Sequence, residues 1–443
     1  MGITLKDILH DRVRTLLHLE TEAGLGCTDP AAIGLAAATA VALLDSQEFD
    51  TIEVEVDPNI YKDALAVIIP ASGGQCGLEL AAAMGAMVGD PTLKLQVFAG
   101  MDSPRLEMAK RLVQEGKVSV ALHEGPLGIY VRVAVSAAGQ TAAAVITGQH
   151  DHLEALFLDG QPLPDHPWLS RRVGPEMDLE FIENWLTSLS LAEMAELLDE
   201  LDSDDLAYIQ KSVDMNLKLA EIGLTQASGL GVGQAQLSLV RQGLLKKDMA
   251  LWGGMLAAAG IDARMGGVME PAMTLAGSGN HGIAASLPLV AAADFAILED
   301  RQVLVKAVML SYLVTCYLKA LVGRLSALCG CSVASGAGVA AGVTYMLGGP
   351  VDRIGGAIKN HLENLATVIC DGAKTGCALK VGEAMSSAVK SALLALNGCI
   401  VKSTDGIIAD TVEDTMRHVG RLGQEGLARM DPVILEILRH KCR

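Results

Sequence analysis

Apolar residues at Leu5, Ile8, Leu9, Leu16 and Leu17 recur at helical spacing, so residues 3–20 are predicted to form an amphipathic helix. An Ala-rich helical run follows Pro30 and reaches about Leu44, with Asp29 as its N-cap and Pro30 at its first position. Residues 51–56 alternate apolar and polar and predict a strand. Residues 65–69 predict a second, fully apolar one. A helix is expected over 78–88, and strands over 117–122, 128–136 and 141–147, the last two joined by a hairpin turn at Ala138-Gly139-Gln140. From there the period changes. Residues 178–202, 203–223, 233–259, 281–297, 300–322, 325–347, 351–369, 378–396 and 409–441 all read as helices, with no comparable strand signal between them.

The predicted class is therefore α+β: a large all-helical domain with a smaller inserted α+β domain. The expected partition is 1–45 as N-terminal helices packing on the helical domain, 46–156 as the small α+β domain, 157–176 as a Pro-rich linker, and 177–443 as the helical domain. Residues 325–350 carry no charge and are long enough to cross a bilayer. They are rich in Gly, Ser, Ala and Cys rather than Leu, Ile and Phe, and read as a buried helix hairpin or a broken helix.

Composition narrows the function. The net charge of −18 argues against nucleic acid as a partner and against docking on an anionic membrane. Aromatics make up only 3% of a chain that is 51% hydrophobic, so small residues carry the apolarity and closely packed helices are expected; a homodimer is the expected assembly. The first twenty residues carry charges of both signs and do not read as a secretory signal, which predicts a cytoplasmic chain. Its nine cysteines (Cys27, Cys76, Cys316, Cys329, Cys331, Cys370, Cys377, Cys399 and Cys442) then read as free thiols, most of them small buried hydrophobes.

Four stretches stand out. Cys370-Asp-Gly-Ala-Lys-Thr-Gly-Cys377 is a polar loop with a thiol at each end, able to reach one metal or cluster and to offer backbone N–H groups to it. Cys329-Gly330-Cys331 can supply a third ligand from Cys329, with Cys331 as an alternate. Three thiolates leave one cluster iron open, as Lewis-acid catalysis requires. Gly277-Ser278-Gly279-Asn280-His281-Gly282 runs into a helix and reads as an anion nest for a carboxylate, with Arg264 upstream to help orient it. Cys27 precedes a helix N-terminus, a position that favours thiolate and suits either a general base or a metal ligand. His150 and His152 have spacing compatible with a metal but lack an evident third ligand.

Taken in order, Gly26-Cys27-Thr28-Asp29-Pro30, Asp57-Pro58-Asn59, Pro70 to Gly77, Asp262 to Gly267, Gly277 to Gly282, Leu325 to Cys329 and Cys370 to Cys377 resemble the L-cysteine desulfidases over essentially the whole chain. They are similar, more distantly, to the α chain of iron–sulfur L-serine dehydratase. The resemblance implies a [4Fe–4S] cluster on Cys329, Cys370 and Cys377, oxygen-labile and easily lost in air, with Cys27 as the proton-abstracting base. A competing assignment makes Cys27 a ligand in place of Cys377. It also implies β-elimination of L-cysteine to hydrogen sulfide, ammonia and pyruvate. Loss of water from L-serine at the same site is the nearest rival, and a non-catalytic binding or regulatory protein the next. Asp29 stands where the family often has Glu, and His281 where it often has Gln, and either can alter substrate preference.

Overall fold

The computed structural model describes residues 5–46, 48–125, 128–170, 178–298 and 300–441; Cys442 and the end of the expected linker, 171–177, lie outside them. Buried side chains form two cores. One gathers the helices of the C-terminal half, together with Val13, Leu16 and Leu17 of the first helix, Leu5–Glu20. The other fills the space between a six-stranded sheet and two helices, Thr28–Val41 and Leu78–Val88. Those helices cross in backbone contact, since a Cβ on Gly85 would lie 2.5 Å from the Gly34 Cα.

The sheet runs in the order Val118–Leu122, Phe49–Val56, Tyr130–Ala137, Gln140–Thr147, Leu153–Leu158, Gln161–Pro162. Only its first pair is parallel. The hairpin expected at Ala138-Gly139 is present, with Ala137 paired to Gln140. The α+β class therefore holds, but several boundaries differ from expectation. Residues 65–69 are not a strand: Val67 enters the helical core and Ile69 the sheet core, so the segment is a connector that reads as apolar because it contributes to both cores. The supposed linker begins inside the sheet, with Phe157 and Leu158 in strand Leu153–Leu158 and then the short strand Gln161–Pro162.

In the helical half, 178–202 is broken at Ser190, whose capping box with Glu193 starts a new helix. The predicted 233–259 splits into Val232–Arg241 and Met249–Met265, with Asp248 capping the second. The predicted 409–441 splits at a π-helical turn, Leu422–Gly426. A short strand does occur in this half: Ala272–Met273 pairs with Ala23–Gly24.

Helix Gln302–Val322 is long and apolar enough to cross a bilayer, and 78% of its most apolar window is buried inside the protein. The uncharged stretch 325–350 is the broken helix that its composition suggested. Residues 325–329 are not helical; a π-turn at Cys331–Ser335 leads into Gly336–Met346, all of it buried up to Thr344. The π-turn has a side-chain partner. His361 Nε2 lies 2.8 Å from the Ser332 carbonyl, in the space that a Cβ on Gly336 would take.

Candidate active site

Two backbone pairings bring distant motifs together. Thr274 N–H donates to Glu22 O at 2.8 Å and Ala276 N–H to Glu20 O at 2.9 Å, which sets the Cys27 segment beside the Gly277 turn. Cys329 N–H donates to Val368 O and Cys370 N–H to Ala327 O, both at 2.8 Å, so these cysteines sit on adjacent rungs of a small antiparallel bridge. Cys377 is the first residue of helix Cys377–Leu396. Its loop is pinned by Asp371, which accepts from Lys374 Nζ at 2.6 Å and from Lys380 Nζ. Burial alone would raise the Asp371 carboxyl; these two ammonium groups bring it down to about 2.

The outcome is one cavity of about 90 Å³. It is lined by Cys329, Cys331, Cys370 and Cys377, by Cys27, Asp29 and His150, and by Arg264, Asn280 and Lys319. Cys331, expected as an alternate, hydrogen-bonds through its thiol to Cys329 and lowers Cys329 to about 6. Burial pushes Cys370 and Cys377 up, with Asp63 adding to the effect on Cys370. Cations ring the thiols: Lys319, Lys374, Lys380 and Arg264 all act on one or more of them.

The donor set suits a cluster better than a single ion. Tetrahedral zinc on thiolates holds its sulfurs about 3.8 Å apart. Among the described residues, three ligand atoms mutually within 4.8 Å occur only at His10, Asp202 and Asp205, away from these thiols and tied to Arg14. No three of these sulfurs lie that close to one another.

The Gly277–Gly282 turn differs from a free anion nest. Ser278 N–H is used by Leu275 O at 3.1 Å, and Gly277, at φ 77°, is hemmed in by Arg324 and His150. What remains is the first turn of helix Gly279–Ala293, which has no side-chain cap. Arg264 supplies the stronger anion-binding feature. It is 1% exposed, its Nη1 donates to Asn280 Oδ1 at 2.9 Å, and its Nε and Nη2 have no partner. These two atoms form the edge of the guanidinium that grips a carboxylate side-on. Asn280 is occupied at both ends, holding Arg264 and donating to Met265 Sδ at 3.5 Å, so it orients the arginine. Gly279 makes room, because a Cβ there would lie 2.6 Å from Arg264 Cζ and closer still to Nε. Gly279→Ala should therefore displace the guanidinium and lower kcat/KM by roughly 10²-fold, as small misplacements do; steady-state kinetics on the folded variant checks this.

Cys27 is not the thiolate that its helix-terminal position predicted. It is 3% exposed and its Sγ–H donates to Asp29 Oδ2 at 3.2 Å; burial, then the Asp29 charge, pushes the thiol well up. Burial would raise Asp29 too, but His150, Cys27 and Arg264 together bring it below the ordinary carboxylate range. His150 Nε2 lies 3.3 Å from Asp29 Oδ1. His152 points away to Glu154 at the surface, so the two histidines do not form a metal pair.

Three further residues escaped the sequence reading. Lys319 is buried, lowered to about 8 by that burial, and was visible only as a charge inside an apolar helix. Burial raises the Asp63 carboxyl to about 7, and its Oδ1 lies 3.9 Å from Cys370 Sγ; its neighbour Lys62 binds Asp431 of the C-terminal helix at 2.7 Å. Arg324 is clamped to Glu20 at 2.6 Å.

Residues 128–436 match the family described as serine dehydratase alpha chain. Relatives align along nearly the whole chain. The UPF0597 protein of Desulfotalea psychrophila is 46% identical, over 97% of this chain and 98% of its own length. That of Desulfatibacillum aliphaticivorans is 43% identical over 100% and 99%, and that of Alkaliphilus oremlandii 37% over 95% and 96%.

Proposed function

Since this chain belongs to the serine dehydratase alpha chain family, we propose that it is a lyase that removes the β-substituent of a small amino acid, with L-cysteine as substrate and hydrogen sulfide, ammonia and pyruvate as products. The observation that carries the reading is the unpaired edge of Arg264 in the same cavity as the cysteine thiols. A buried guanidinium edge without a partner is costly unless an anion fills it.

A [4Fe–4S] cluster on Cys329, Cys370 and Cys377 would supply Lewis acidity at an iron that no protein atom ligates. Arg264 holds the α-carboxylate, fixed in turn by Asn280 and by the space at Gly279. The uncapped N-H groups of Gly279 and Asn280 add positive potential on the same side. Cys27, Asp29 and His150 form the acid–base unit that handles the α-proton. Lys319 offsets negative charge on the thiolates from within the protein. The same reading places the chain in the cytoplasm, acting on a free amino acid, as a homodimer without nucleic-acid or membrane partners.

The family description favours a second reading at the same site, loss of water from L-serine. Anaerobically reconstituted protein given each amino acid separates them. Sulfide from L-cysteine at a kcat/KM at least about tenfold above that for pyruvate from L-serine supports the first; the reverse order supports the second. Iron bound without turnover of either overturns the lyase reading.

A further inference from the structure

A carboxylate that accepts two hydrogen bonds fixes the protons of both donors. Asp29 does this for Cys27 at 3.2 Å and His150 at 3.3 Å. With Asp29 ionised, His150 holds its proton on Nε2, so the lone pair of the neutral ring lies on Nδ1. That nitrogen is buried and has no partner, although His150 itself is only 4% exposed. His361 Nδ1 is likewise buried without a partner, but His361 lies outside the thiol cavity, whereas His150 lines it beside Arg264 and the cysteines. Here the free one faces the turn before helix Gly279–Ala293: a Cβ on Gly277 would lie 3.3 Å from Nδ1. Among the three residues of the acid–base unit, Nδ1 is the acceptor available at rest, because Cys27 keeps its proton and Asp29 is engaged at both oxygens.

We infer that His150 is a catalytic residue whose Nδ1 takes the α-proton of the substrate, with Asp29 and Cys27 as positioning residues. The inference rests on the elimination reading above. The Cα–H bond breaks and its proton becomes the N–H at Nδ1. The electron pair forms the Cα–Cβ double bond, and the Cβ–S bond breaks with its pair on sulfur. The imidazolium then protonates the departing hydrosulfide, giving hydrogen sulfide and restoring the neutral ring. Asp29 stabilises that imidazolium as carboxylates do in catalytic dyads.

The test compares reconstituted wild type, His150→Gln and Cys27→Ala. Glutamine can still donate to Asp29 from the position of Nε2 but offers no base at Nδ1. The measurements are iron content, kcat, KM and the isotope effect with substrate deuterated at Cα. His150→Gln is expected to keep its iron and a KM within about threefold, to lose roughly 10²–10⁴ in kcat, and to show an increased isotope effect. Imidazole should restore part of the activity of His150→Gly, which a structural role would not allow. Cys27→Ala should lose less, and its isotope effect should move less. A larger loss and a larger isotope effect in Cys27→Ala, with His150→Gln within about tenfold of wild type, would overturn the assignment and return the α-proton to Cys27. Failure of the wild type to turn over either amino acid overturns the elimination reading itself, and this inference with it.

Discussion

Cys370→Ser, prepared and reconstituted anaerobically, should remain folded but bind little iron, lack the brown absorbance of a cluster, and lose activity by well over the roughly 10–100-fold that an outer-shell change costs. Cys370 stands opposite Ala327 on the bridge between 327–329 and 368–370, and its backbone N–H is already satisfied there, so the substitution leaves the scaffold in place. Cys329→Ser and Cys377→Ser should behave alike. Cys331→Ser should keep its iron, because Cys331 acts through its hydrogen bond to Cys329. Cys27→Ala should also keep it. Iron loss in Cys27→Ala with retention in Cys377→Ser would support the competing ligand set. Iron analysis with melting temperatures across the five variants checks all of this.

Arg264→Lys should lower kcat/KM by about 10²–10⁴ with the cluster intact. The side-on edge offers two hydrogen bonds to a carboxylate, each worth about 1.5–3 kcal/mol when charged. Lysine presents one point charge in place of that fork. It would also strand Asn280 Oδ1, which now accepts from Nη1. The loss should be shared by L-cysteine and L-serine, because both carry the same carboxylate. Iron content near wild type, together with kinetics on both substrates, checks this. A variant that works normally would make Arg264 only a counter-ion to the thiolates.

Much of the architecture was readable from periodicity. The helices of the second half follow from apolar spacing, and the hairpin at Ala138-Gly139 from its turn residues. Helix breaks were missed where local chemistry overrides the pattern, as at Ser190 with its capping box or at Asp248, which caps a new helix inside the predicted 233–259. The thiols were legible through their motifs. Cys27 shows why the rest was not. A helix N-terminus contributes about 0.3–1 kcal/mol toward the thiolate, whereas full burial can shift a group by up to about 3–5 pKa units the other way. Burial is a property of the fold, and so is the company of Asp29. The same holds for His150, Asp63 and Lys319, which lie far apart in the chain and line one cavity only in the folded protein.

The central claim, that three thiols from two segments hold a cluster beside the Arg264 edge, is tested most directly by iron and acid-labile sulfide content after anaerobic reconstitution of the wild-type chain. The account predicts about four of each per chain, retained through gel filtration. A chain that retains neither, or that binds a lone zinc ion at these thiols in preference, would contradict it.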